Sequence, residues 1–324
     1  MVRIARDQGL ASFMLAVLLT LCANVLFPLQ DALTKQLITT LPVWAVLFVR
    51  SAAVLAGTLA IGRARLVRHV LVTPWKGFLA IRASVMLCGW VAFYLSIRSL
   101  GFGQAVTIYF VSPILVALAA KPFLREQTPW PQWAAIALGF AGVGLASGIS
   151  EFRFSSAVAL ALASACFWAI ALLMLRNAAK EEGALTQVAF CNAVFVLVTF
   201  VPVLAEGFPA TPVSIAWMGG IGLVGGVAQL CLYDAARRIA APVLAALEYT
   251  SILSAFALGY LMFGETPTPR VWLGAALILT SGLVVVMVEH GRARLGSPGQ
   301  GAGMAGQVQQ GRTISWARMC TTPS

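Results

Sequence analysis

Along the chain, apolar residues neither alternate with polar ones nor recur at the spacing of one helix face. They run on in blocks of about twenty, broken by short clusters of charge, proline and glycine. A helix needs about 20 apolar residues to cross the roughly 30 Å hydrocarbon layer. Ten blocks of that size can be marked off, near residues 10–31, 42–62, 77–97, 104–124, 130–149, 156–176, 186–205, 214–235, 240–263 and 270–288. The alternation over about 10 residues that a transmembrane barrel requires is missing. The pattern predicts an all-α integral membrane protein with ten transmembrane helices.

Composition agrees: 60% of the 324 residues are hydrophobic, 10% are charged, and the mean hydropathy is +0.89. Soluble domains use roughly 45–50% apolar and about 25% charged residues. The first block follows Arg3 and Arg6 as a signal peptide would, but it is too long for one and no small-x-small cleavage site follows, so it is read as an uncleaved helix after a cytoplasmic segment 1–9. Residues 291–324 are rich in Gly and Gln and read as a disordered cytoplasmic tail.

The net charge of +11 would suit nucleic acid if it formed one patch, but the basic residues lie at the ends of the apolar blocks. With an inside amino terminus, Arg3, Arg6, Arg63, Arg65, Arg68, Lys76, Lys121, Arg125, Arg176, Lys180, Arg237, Arg238, Arg292 and Arg294 fall on the cytoplasmic face, and Lys35, Arg98, Arg153 and Arg270 on the other. That bias places both termini in the cytoplasm. Cys22, Cys88, Cys166, Cys191 and Cys231 fall inside apolar blocks without Cys-x-x-Cys spacing and read as small packing residues.

Sliding the sequence on itself by 139 residues pairs Tyr94 with Tyr233, Arg98 with Arg237, Ser112 with Ser251, Glu126 with Glu265 and Trp133 with Trp272. The knot FLREQTPWPQW at 123–133 thereby finds its sibling MFGETPTPRVW at 262–272. Upstream, a shift of 142 pairs Phe48 with Phe190 and Arg50 with Asn192. Five helices per copy is an odd number, so the second copy enters the membrane from the opposite face, giving two inverted five-helix repeats over 10–149 and 150–290. Gly-x-x-x-Gly at Gly144/Gly148 and Gly222/Gly226, with Gly139, Gly142, Gly219, Gly220 and Gly225, suits close helix crossings. Pro28, Pro113 and Pro202 either kink their helices and free carbonyls for a cavity, or merely shape the bundle.

RASVMLCGWVAFYLSIRSLGFGQAVTIYFVSPILVALAAKPFLRE and GVAQLCLYDAARRIAAPVLAALEYTSILSAFALGYLMFGETPTPRVWLGAALILTSGLVVVM resemble the two halves of EamA-type transporters of the drug/metabolite transporter superfamily. DALTK at 31–35 and FVR at 48–50 resemble that family's first two helices. The likeness covers about residues 10–290 and departs from the family at Arg125, where Gly is usual, and at Ser96-Ile97, where Ala-Leu is commoner. It implies ten helices in two inverted repeats, a central cavity formed chiefly by the first four helices of each half, and a cargo among amino acids, riboflavin, S-adenosylmethionine, related metabolites or drugs. It also implies a bacterial inner membrane.

An ionisable side chain inside the membrane is costly, by about 2.5–3.5 kcal/mol on insertion scales, and is therefore a functional candidate. Asp31, Arg50, Arg82 and Glu248 qualify. Arg50 and Glu248 each lie about eight residues inside a helix end, near the midplane at about 1.5 Å per residue. Arg50 offers a fork for a carboxylate or phosphate and Glu248 an acceptor for an amine or a proton; the alternative is a buried ion pair or snorkelling. Arg82, one turn into its helix, is better read as snorkelling, and Asp31 either as a functional group or as a helix-end partner of Lys35 four residues on.

Asn24, Trp90, Tyr109, Ser112, Asn192, Gln229 and Tyr249 add amides, hydroxyls and aromatic faces at depth, and complete the candidate substrate site with Arg50 and Glu248. Asp31, Arg82, Tyr94 and Tyr233 are the candidates for coupling or gating, although Tyr94 and Tyr233 read first as interfacial anchors. Glu126 and Glu265 are explained by helix capping.

No phosphate loop G-x-x-x-x-G-K-[ST] occurs, and His69 and His290 are far apart with no metal-spaced cluster. An enzyme, a metal site and a cofactor are therefore not expected. The expected partners are a small-molecule metabolite and the lipid bilayer, with a homodimer left open and no nucleic acid. The reading is a secondary transporter of a small polar metabolite, an amino acid or related zwitterion or anion; the alternatives are a transporter of an aromatic metabolite such as riboflavin, of S-adenosylmethionine or of drugs and, outside transport, a membrane-embedded enzyme or scaffold.

Overall fold

The computed structural model describes residues 2–100, 102–124, 129–147, 155–207, 211–263 and 269–295. Among them are twelve helices and no strand: α1 (Val2–Leu37), α2 (Val43–Val72), α3 (Lys76–Ser99), α4 (Phe102–Tyr109), α5 (Ser112–Leu124), α6 (Trp130–Ser147), α7 (Ser156–Ala178), α8 (Ala184–Glu206), α9 (Pro212–Arg238), α10 (Ala241–Glu248), α11 (Ser251–Phe263) and α12 (Pro269–Leu295). Among the described residues, seven stretches are long and apolar enough to cross a membrane by length and composition, the seventh running from Ala241 to Met262 across an interruption. Leu18, Leu197, Leu261 and Met287 stand well exposed on the outside, as a lipid-facing surface requires.

Two apolar blocks expected to be continuous are interrupted. Residues 104–124 divide into α4 and α5 at Phe110-Val111, and 240–263 into α10 and α11 at Tyr249-Thr250. At both places the backbone tightens to i→i−3 bonds: Val111 N–H donates to the Ile108 carbonyl at 3.2 Å, and Thr250 N–H to the Leu247 carbonyl at 3.0 Å. The first interruption has a local cause, since Pro113 has no N–H for the Tyr109 carbonyl four residues before it. The second contains no proline or glycine and is held by side chains. Asn24 Nδ2 donates to the Leu247 carbonyl and to Thr250 Oγ1, both at 2.8 Å, and Ser251 Oγ donates to the Glu248 carbonyl at 2.7 Å. Pro28 and Pro202 lie inside α1 and α8.

Helices α1, α2, α3 and α6 pack on α9, α8, α7 and α12 respectively. Small residues permit the closest crossings. A Cβ at Gly222 would overlap the Arg50 carbonyl, and one at Gly142 would stand 2.8 Å from the Gly274 carbonyl. Gly144, expected at a crossing, faces open space, while Gly148 lies outside the described residues. The crossing of α6 on α12 uses Gly139 and Gly142 instead, because the face that meets α12 is displaced by part of a turn from the one the motif marked.

Polar contacts fix which helix ends share a face. At the end of α2, His69 Nε2 meets Glu182 Oε2 at 2.8 Å, and the Thr73 hydroxyl donates to the same carboxylate, so α2 and the loop between α7 and α8 meet there. Arg176, near the end of α7, donates to the Ala236 carbonyl near the end of α9 at 2.6 Å. Arg238, at the end of α9, donates to Ser12 in the first turns of α1 at 3.4 Å. Residues 125–128 and 264–268, which carry Glu126 and Glu265, lie outside the described residues, and of the tail expected from 291, residues 291–295 continue α12 while 296–324 lie outside them.

Candidate functional site

The two interruptions border one cavity of about 90 Å³, room for several waters. Its walls come from α1 (Asn24, Phe27, Pro28, Gln30, Asp31), α3 (Met86, Gly89, Trp90, Phe93, Tyr94), α4 and the residue after it (Phe102, Val106, Tyr109, Phe110), α7 (Ser164, Trp168), α9 (Leu232), α10 (Glu248) and α11 (Ser251, Ala255). Interrupted helices bring backbone polarity and side chains to mid-bundle positions that an unbroken helix keeps occupied with its own hydrogen bonds.

Two carboxylates line this cavity, and their surroundings differ. Asp31 accepts from Gln30 Nε2 at 3.2 Å and from the Tyr94 hydroxyl at 3.4 Å. The same hydroxyl accepts from Arg50 Nη1 at 2.6 Å, so a cation stands behind Asp31 across one phenol. Glu248, at the last residue of α10, receives the Trp168 indole N–H on both oxygens, at 3.1 and 3.2 Å. It is 6% exposed, and none of the ion pairs among the described residues reaches it.

Aromatic rings make most of the remaining wall. Tyr109 lies 5.5 Å from Phe93 and 6.2 Å from Trp168, centroid to centroid, and Phe27 meets Trp168 edge-on at 6.3 Å. Such edge and tilted arrangements are the ones aromatic quadrupoles favour.

Of the expected substrate residues, Asn24, Trp90, Tyr109 and Glu248 reach the cavity. Arg50 does not line it: its guanidinium lies over the Trp90 ring, 3.3 Å from the centroid, and Nε and Nη2 have no hydrogen-bond partner. Asn192 and Gln229 are fully buried and turn to each other at 2.9 Å instead of to the cavity. Ser112 and Tyr249 are buried behind the wall, where Tyr249 packs 5.7 Å from Phe110.

Among the coupling candidates, Asp31 and Tyr94 line the cavity, and Asp31 sits inside α1, which continues to Leu37, not at a helix end. Arg82 is 2% exposed and lies 4.5 Å from the Tyr233 ring centre, so it does not snorkel. The Tyr233 ring, on α9, offers the guanidinium a π face in place of the water it would meet at the interface. Tyr94 and Tyr233 are likewise buried, which corrects their reading as interfacial anchors; the Tyr233 hydroxyl donates to Met86 Sδ at 3.2 Å. Gln30 and Trp168 went unnoticed in the sequence. Trp168 sits mid-block, the property that singled out Trp90, and Gln30 adjoins the charged Asp31.

A helical, lipid-exposed bundle with an internal cavity at two helix interruptions defines a polytopic membrane protein. The sequence model of the EamA-like transporter family matches this chain twice, over residues 14–148 and 155–287. The chain belongs to that family. It is 28% identical to a riboflavin transporter of Rhizobium johnstonii over 228 residues, 68% of this chain and 73% of the relative. It is 26% identical to the pseudopaline exporter CntI of Pseudomonas aeruginosa over 279 residues, 85% of this chain and 97% of the relative. A solved crystal structure superposes with a TM-score of 0.71 at 19% identity, covering 87% of this chain and 99% of its own, which establishes likeness of fold.

Proposed function

We propose that the protein is a secondary transporter, not an enzyme, that carries a small polar metabolite across a bacterial inner membrane by alternating access between two inverted five-helix units, residues 10–149 and 150–290. The observation that carries this reading is the cavity, which lies between helices of both family matches and borders an interruption in each.

The inversion is supported by the helix ends. The start of α1, first in the first match, lies by the end of α9, and the end of α9 lies by the end of α7, first in the second match. Equivalent first helices thus run in opposite directions. Exposed Arg63, Arg65, Arg68, Lys76, Lys180, Arg237 and Arg238 cluster on or near this same face, which supports a cytoplasmic assignment and a cytoplasmic amino terminus.

For the cargo, the wall chemistry favours a small zwitterion whose amine meets Glu248, with Asp31 and its donors Gln30 and Tyr94 forming the polar wall opposite. Saturable counterflow of amino acids and related zwitterions in proteoliposomes tests this; a preparation that shows none, or that forms a product without flux, sinks it. A second reading, an aromatic-ring metabolite such as riboflavin, is favoured by Phe27, Trp90, Phe93, Tyr109, Phe110 and Trp168 around one cavity and by the likeness to a riboflavin transporter. Riboflavin counterflow in the same vesicles separates the two.

A further inference from the structure

Asp31 and Glu248 share a cavity, yet among the described residues only Asp31 has a cation behind it. Glu248 is nearly buried, and its one side-chain donor among the described residues is an indole N–H split between both oxygens. The titratable groups facing it are Tyr109 from α4, Tyr249 at the interruption and, across the cavity on α1, Asp31 with Arg50 behind it. The elements packed against α10 bring no cationic side chain to it among the described residues.

An ionised carboxylate so placed is poorly compensated when the cavity is closed and its water displaced, because a single neutral donor does not repay desolvation of the charge. Two occupants restore the balance: a proton, or the ammonium group of a bound molecule. Both use the same carboxylate oxygens within one small cavity, so they exclude each other.

Resting on the transporter reading for its consequence, but not for its chemistry, we propose that Glu248 holds one proton or one organic ammonium group at a time, so that transport exchanges the two. On one side of the membrane the carboxylic acid O–H gives its proton to water as the ammonium group docks. On the other side the ammonium leaves and the carboxylate takes a proton from water. No electron moves, and no covalent bond other than this O–H is made or broken.

Trp168 supplies a readout that needs no known cargo, since its indole N–H bonds the group that changes charge. Tryptophan fluorescence of the purified full-length protein is followed from mildly acidic to mildly basic buffer. The expected result is a single transition, present in the wild type, in Glu248→Asp and in Asp31→Asn, and lost in Glu248→Gln and in Trp168→Phe. Phenethylammonium, the probe cation, competes with the proton and therefore moves the midpoint to lower pH, by about one unit per tenfold concentration once it binds.

A transition that survives Glu248→Gln, one that is lost in Asp31→Asn, or a midpoint that phenethylammonium leaves in place overturns the proposal. Counterflow is measured on the same preparation. Flux without a fluorescence transition in the wild type also overturns it. A transition without flux upholds the site at Glu248 and strikes the transporter reading instead.

Discussion

Matched positions in the two halves carry the same shape and opposite chemistry. In the first half Arg50 on α2 stacks over Trp90 on α3, beside Tyr94. In the second half their counterparts, Asn192 on α8 and Gln229 on α9, form a neutral amide pair, and the Tyr233 ring that corresponds to Tyr94 is met by Arg82 from the first half. At the interruptions Tyr109 is answered by Glu248, Phe110 by Tyr249 and Ser112 by Ser251. Backbone geometry is repeated because helix breaks and crossings serve both copies. Charge is not repeated, since a cavity with identical walls could not orient a polar molecule. Among the described residues, the two buried arginines belong to the first half and Glu248, a carboxylate outside the ion pairs, to the second.

The largest effect that would break this asymmetry is expected at Glu248. Replacing it with Gln makes the second interruption as neutral as the first, and removing one member of a buried charged contact typically costs about 2–5 kcal/mol. Counterflow of an amine-bearing cargo should fall about a hundredfold, by the same reasoning. A rate within about threefold of wild type would place Glu248 outside the path.

Next comes Arg50→Gln. Arg50 is fully buried and donates to the hydroxyl that Asp31 shares. Breaking a buried charged contact costs about 3–5 kcal/mol in soluble proteins, and the lower end is expected here, because Asp31 can take up a proton. Thermal unfolding of the solubilised protein should drop markedly, and Asp31→Asn in the same chain should restore part of the loss. Full additivity of the two substitutions would show that they do not share a network.

Asn24→Ala follows. It removes both side-chain bonds to the second interruption and leaves the Leu247 carbonyl with Thr250 Oγ1 alone as its side-chain donor. A buried polar group deprived of a partner costs about 1–3 kcal/mol. The first interruption, fixed by Pro113, has no such dependence. Amide exchange should therefore rise around Tyr249 and Thr250 in this variant and stay unchanged around Phe110 and Val111. An equal rise at both would mean that the two breaks are held in the same way.

That contrast also explains what the sequence could and could not reveal. The membrane class and the family likeness follow from apolar run lengths and from matched Tyr, Arg, Glu and Trp, which are local and survive without coordinates. The break at Tyr249-Thr250 is not local: its holder, Asn24, is 223 residues from Leu247. Arg82 misled for the same reason. Counting from its helix end put it within reach of the interface, but the Tyr233 ring that receives it lies on α9. Arg50 had the right depth, yet depth does not give direction around the helix axis, and Trp90 takes the place in the wall. Trp168 was legible by the depth rule and was passed over.

The smallest effect is expected where the second half has lost charge. Asn192 Nδ2 donates to Gln229 Oε1 at 2.9 Å and to the Val188 carbonyl one turn back, Asn192 Oδ1 and Gln229 Nε2 are buried without a partner, and neither side chain lines the cavity. Interhelical hydrogen bonds in membranes average about 0.6 kcal/mol, and replacing both partners with apolar residues of similar size leaves nothing unsatisfied. The pair Asn192→Leu with Gln229→Leu should shift thermal unfolding only slightly and leave counterflow unchanged. The single change Gln229→Leu should be the worse of the two, because it removes the Gln229 Oε1 acceptor of Asn192 Nδ2 and leaves the whole Asn192 amide buried. A double variant that abolishes flux while remaining folded would show that these amides enter the cargo path in another conformation, and the second half would then be polar where this structure makes it inert.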